Sequence, residues 1–118
     1  MKNSILELAI KIAKKTNTKQ YNFVSIITNK KGKIISIGIN SYNKTHPLQA
    51  KYADLTNQPE KIYLHSEIDA LTRLSLDSIP HSIYIARVDK SGNIHPAKPC
   101  IICKLALRTS GIFKIYTT

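Results

Sequence analysis

The chain has 118 residues, 42% of them hydrophobic, with 18 basic against 7 acidic side chains and a formal net charge of +11. That length supports one domain with a core of its own, spanning residues 1–118, and excludes two. No apolar run approaches the roughly 20 residues a bilayer span needs. The apolar N-terminal stretch is broken by Glu7 and Lys11 and lacks a small-residue cleavage site, so a cytoplasmic protein is expected.

In chain order, Ser4 to Thr16 reads as an amphipathic helix, with Ile5, Leu8, Ala9, Ile12 and Ala13 on one stripe and Ser4 or Asn3 as cap. Tyr21 to Thr28 and Lys33 to Ile39 are rich in β-branched and aromatic residues. Asn29-Lys30-Lys31-Gly32 between them marks a hairpin. Residues 40–63 show little periodicity. A stretch of that length is either functional, partly ordered by a short helix, or an insertion without a part in catalysis. It runs directly into His65 and so is expected to border any site there. Leu64 to Leu74 reads as a helix on the face of Leu64, Ile68 and Leu71, with Pro80 closing the region. Ser82 to Val88 reads as a strand and Asp89 to Asn93 as a turn. Cys100 to Ser110 reads as a helix apolar almost all round, with Pro99 at its first position and Gly111 as its C′ residue. Ile112 to Tyr116 is the last strand. Strand, helix and strand over 82–116 make a crossover unit, expected parallel and right-handed.

The chemistry-bearing residues are His65-Ser66-Glu67 and, further on, Pro99-Cys100-Ile101-Ile102-Cys103. They supply one imidazole, one carboxylate and two thiols. Two cysteines in a reducing compartment point to metal or redox chemistry more than to a disulfide. Their spacing at a helix start puts both sulfurs on one side, and the helix N-terminus favours thiolates. His65, Cys100 and Cys103 could hold Zn2+ and leave a fourth position for water, as catalytic zinc sites do. The alternatives are a redox Cys-x-x-Cys pair and a closed structural zinc site that recruits His81 or His95.

His-x-Glu followed by Pro-Cys-x-x-Cys is a zinc-deaminase pattern. The chain resembles the cytidine/deoxycytidylate deaminase superfamily, and within it small deoxycytidylate-deaminase-like proteins. Four segments carry the likeness: Ile34 to Asn40, His65 to Leu71, Ile83 to Val88 and Pro99 to Tyr116. The zinc motif is specific, and the other three count only in order. Ser66 departs from the alanine usual between the His and the Glu. Similar proteins also continue for a further strand and helix beyond the position of Thr118.

The resemblance implies a three-layer α/β cytidine-deaminase-like domain with a mixed sheet and flanking helices. It implies zinc on His65, Cys100 and Cys103, with Glu67 as proton carrier between water, the ring nitrogen and the departing amine. Asn40 would contact the sugar or base, and homo-oligomers are expected. The implied reaction is hydrolytic deamination of a cytosine nucleoside or nucleotide, with a deoxycytidylate-type monophosphate first. Cytosine or adenine in RNA or DNA is the second substrate class. A catalytically silent zinc-fold binding module is the non-enzymatic alternative. The net charge favours anionic partners, although a Lys-rich solubilising surface is the plainer account of it, since Lys greatly outnumbers Arg. Tyr42 and Tyr52 could stack on a base, and Lys98 could meet a phosphate. His46, His81 and His95 are not expected to bind zinc, and no membrane is expected as partner.

Overall fold

The computed structural model describes residues 2–16 and 18–118. The hairpin marked by sequence forms from β1 (Tyr21–Thr28) and β2 (Ile34–Ile39), paired antiparallel from Val24 opposite Ile39 to Thr28 opposite Ile34. Asn29 closes it: its Oδ1 accepts from the N–H groups of Lys31 and Lys33. Gly32 sits at φ +85°, where the absence of a Cβ removes the steric cost.

β3 (Ser82–Asp89) pairs antiparallel with the whole of β1. Two short strands share its other edge. β4 (Ile94–His95) runs antiparallel opposite Arg87 and Val88, and β5 (Lys114–Thr117) runs parallel opposite Ser82 to Ile85. The sheet is therefore mixed, and the expected parallel crossover is present. β4 is absent from the sequence reading because two residues carry no periodicity; pairing to β3 alone defines it.

The period of two along β1 sends Val24 and Ile26 to one face and Ser25 and Ile27 to the other. On the first face, α1 (Lys2–Thr16) lays Ala9 and Ala13 against Val24, Ile26, Ala86 and Val88. On the second, α3 (Ser66–Thr72) and α4 (Ile101–Thr109) bring Ala70 and Leu107 onto Ile27, Ile83 and Ile85. α2 (Pro47–Leu55) covers α3 and α4 with Tyr52 and Ala53 on Ile68, Ile102 and Ala106. Each fully buried Ile or Leu side chain contributes about 1.5–3 kcal/mol. The three-layer α/β arrangement follows. Among the described residues no helix is long and apolar enough to cross a membrane.

Several boundaries differ from the sequence reading. α1 begins at Lys2, so Ser4 lies inside its first turn and does not cap it; the Asn3 side chain lies outside the described residues. The 40–63 stretch contains α2. His46 caps that helix by accepting from Leu48 N–H at 3.0 Å, and Pro47 opens it. α4 is amphipathic, not apolar all round: Ile101, Lys104 and Arg108 face out, while Ile102, Cys103, Ala106 and Leu107 are buried. Pro99 precedes the α4 cap instead of opening the helix. Gly111 is the C′ residue as expected. Its N–H donates to Arg108 O, and Ile112 N–H donates to Leu107 O, the Schellman pattern.

Candidate metal centre and active site

Two helix starts meet on the α3–α4 face of the sheet. His65 is the N-cap residue of α3 and Cys100 that of α4, both with extended backbone. Cys103 lies in the first turn of α4, on the same side as Cys100.

The position of α3 is set by backbone contact. A Cβ on Gly38 would collide with Ser66 O and the Ala70 backbone, so the glycine lets β2 approach the helix. Asp69 Oδ2 accepts from Ile39 N–H at 2.9 Å, and Ser36 Oγ donates to Ala70 O. From the other side, buried Gln49 of α2 accepts from His65 N–H through Oε1 at 3.2 Å. Gln49 and Asp69 thus place the site; no sequence pattern marked Gln49, and Asp69 stood out only as part of the His65 to Leu71 segment.

His65 Nδ1 lies 3.2 Å from Cys103 Sγ and 3.5 Å from Cys100 Sγ. All three donor atoms fall within 4.8 Å of one another. With Zn–S of about 2.3 Å and Zn–N of about 2.0 Å, a tetrahedral ion separates neighbouring donors by about 3.5 Å, which is the scale observed. The protonation chemistry points the same way. The hydrogen bond from Cys103, aided by His65, brings the Cys100 thiol down to about 4 against the opposing effect of burial. The same contact with Cys100, together with burial, pushes the Cys103 thiol well up. The hydrogen bond with Cys100 raises His65. Zinc takes thiolates and a neutral imidazole as ligands, so binding it releases protons from such a cluster. The three residues fit a zinc ion. His81 and His95 do not complete a closed site: His81 Nδ1 meets Ser82 Oγ at 2.7 Å, and His95 Nε2 meets Asp89 Oδ2 at 2.8 Å.

A family model for the cytidine and deoxycytidylate deaminase zinc-binding region matches residues 1–118. The chain belongs to that family. A comparison with curated proteins returned no match.

In this deaminase-family chain a cavity of about 210 Å³ opens beside the three donors, and His65, Cys100, Ser66 and Glu67 form part of its wall. Glu67 is only 5% exposed, and burial pushes its carboxyl above the usual carboxylate range. Its Oε1 accepts from Ser66 Oγ at 2.9 Å. Phe23, Tyr42 and Tyr63 supply aromatic wall, the two tyrosines being about half exposed at the mouth. Asn40 also lines the cavity, but its amide is tied to β1: Oδ1 accepts from Phe23 N–H at 2.9 Å and Nδ2 donates to Tyr21 O at 3.3 Å. Exposed Lys98 borders the same space. Tyr52 is buried among Ile68, Ile102 and Ala106 and does not line the cavity. Ser25 went unmarked by sequence; it reaches Ser66 from the sheet at 2.7 Å.

Proposed function

We propose that this chain catalyses zinc-dependent hydrolytic deamination of a cytosine nucleoside or nucleotide, with a deoxycytidylate-type monophosphate as first choice. One observation carries the reading: a buried carboxylate, Glu67, on the wall of the cavity that His65 and Cys100 also line. Burying an ionisable group is costly, and a zinc fold that only binds has no need of it. The cavity is smaller than the roughly 300–1,000 Å³ of sites that enclose drug-sized ligands. It suits one heterocycle, with sugar and phosphate outside. Phe23 offers a face for the ring, and Lys98, exposed on the same wall, supplies a cation for the phosphate.

Zinc, when bound, supplies Lewis acidity that makes water nucleophilic near neutral pH. His65, Cys100 and Cys103 would hold the ion. Glu67 takes the proton that water gives up as its oxygen bonds to the carbon bearing the amine. It passes that proton to the ring nitrogen, then takes the second proton from the new hydroxyl and delivers it to the leaving nitrogen, which departs as ammonia. The balance is cytosine plus water giving uracil plus ammonia.

A second reading, cytosine or adenine within RNA or DNA, draws on the net charge of +11 and on Tyr42 and Tyr63 standing exposed at the mouth. A deamination screen of nucleosides, mono- and triphosphates and single-stranded oligonucleotides, read by mass shift, separates the two. Glu67→Gln should keep zinc and lose at least about 10²-fold in turnover, because an amide cannot shuttle protons. A zinc-loaded protein that deaminates nothing in the screen would leave the binding module as the answer.

A further inference from the structure

The hydroxyls of Ser25 and Ser66 are both fully buried, Ser25 on the sheet and Ser66 between His65 and Glu67. Their oxygens lie 2.7 Å apart, and Ser66 Oγ donates to Glu67 Oε1 at 2.9 Å. A hydroxyl has one proton to give. With that of Ser66 committed to the carboxylate, Ser25 must be the donor between the two serines. The hydrogen bonds therefore run in one direction, from Ser25 to Ser66 to Glu67.

We infer that Ser66 and Ser25 are positioning residues for Glu67; the inference rests on the deaminase reading above. The last torsion of a glutamate side chain is broad, and beside its own backbone N–H it is the Ser66 hydroxyl that holds the Glu67 carboxylate. A donor fixed on Oε1 sets the carboxylate plane and hence the direction in which Oε2 faces the reacting atoms. Ser66 is itself held. Its backbone is pressed against Gly38, and its hydroxyl is oriented by a strand residue that cannot move independently of the sheet. Low local dielectric strengthens each bond in such a chain. A competing account of the same contacts is that α3 approaches β1 closely and small residues merely fill the gap. That account makes alanine at either position neutral for catalysis.

The test uses zinc-loaded full chain and three variants: Ser66→Ala, Ser25→Ala and the double replacement. Although alanine is usual at this position in similar proteins, in this chain Ser66→Ala should lower kcat about 10- to 100-fold, the usual worth of a hydrogen bond to a charged group, with KM and zinc content unchanged. Ser25→Ala should lower kcat by less. The double variant should be no worse than Ser66→Ala, because Ser25 acts through Ser66. A second readout needs no substrate. The chain has three glutamates, Glu7, Glu60 and Glu67, so selective carboxyl ¹³C labelling gives three signals, and Glu67→Gln identifies one. Ser66→Ala should move the Glu67 signal, Ser25→Ala should move it less in the same direction, and the other two should stay. An unmoved Glu67 signal, or wild-type kcat in an active Ser66→Ala protein, would overturn the inference. If the wild type deaminates no substrate, the proposed function fails, while the carboxyl signals still decide whether the serine chain holds Glu67.

Discussion

Replacing Gly38 by alanine adds one methyl group at the closest approach of β2 to α3. Gly38 has no positive φ, so alanine has no conformational objection there. The whole cost comes from overlap with Ser66 O and the Ala70 backbone. Neither is the far end of a flexible side chain, so relief requires the helix to move off the sheet. Overpacking of a core costs about 1–3 kcal/mol, and a backbone obstacle puts this case near about 3 kcal/mol. At this size about 1 kcal/mol lowers Tm by roughly 4 °C, so a fall of roughly 12 °C is expected by calorimetry. The displacement also carries His65 and Glu67 away from α4, which holds Cys100 and Cys103. Metal sites tolerate errors of only about 0.2 Å in ligand distance, so zinc affinity, measured by competition with a chelator, should fall with Tm. Gly32→Ala is the control. It meets nothing within 4 Å and is strained only by φ +85°, costing about 1–2 kcal/mol and leaving zinc affinity intact. If Gly38→Ala melts within about 2 °C of the wild type and binds zinc normally, the close approach does not set the site.

Cys103→Ser should drop zinc from about one ion per chain to a small fraction by metal analysis, because the remaining imidazole and single thiol make a poor site; retained zinc would mean other ligands. Asp89 provides a pH test away from the site. His95 Nε2 at 2.8 Å, with Asn93 N–H, holds its carboxyl at about 2 against an ordinary 3.8. A depressed carboxyl stabilises the fold above its unfolded value and stops doing so as pH falls through the folded one. The Tm advantage of wild type over Asp89→Asn should therefore be constant above pH 3.8 and vanish toward pH 2; an advantage that grows on acidification would refute the assignment. Binding of a labelled single-stranded oligonucleotide should be weak and respond little to salt if the substrate is a free nucleotide. Tight binding with a slope of several phosphates, together with deamination of the oligonucleotide, would shift the substrate class.

The sequence alone was enough for the frame of this protein. Local patterns decide the hairpin around Asn29 and Gly32, the apolar stripe of α1, the crossover from β3 through α4 to β5 and the Gly111 helix stop, because each depends on residues a few positions apart. The candidate zinc donors His65, Cys100 and Cys103, and the carboxylate of Glu67, stood out in the sequence for the same reason, since His65-x-Glu67 and Cys100-x-x-Cys103 are each compact. What surrounds them was not. A short helix within residues 40–63 was one of three readings, and the sequence did not single it out because the buried face of α2, Gln49, Tyr52 and Ala53, includes an amide that reads as polar loop. Burial of Gln49 becomes intelligible only once His65 N–H stands opposite its Oε1. β4 exists only as a partner of β3. Ser25 and Ser66 are separated by 41 positions, yet they share a hydrogen bond, and Gly38 looks like an ordinary strand residue until α3 lies on it. The tertiary structure alone decided which polar groups are buried and what they touch, because those contacts join segments far apart in the chain, and hydrogen-bond partners across such distances leave no periodicity to read.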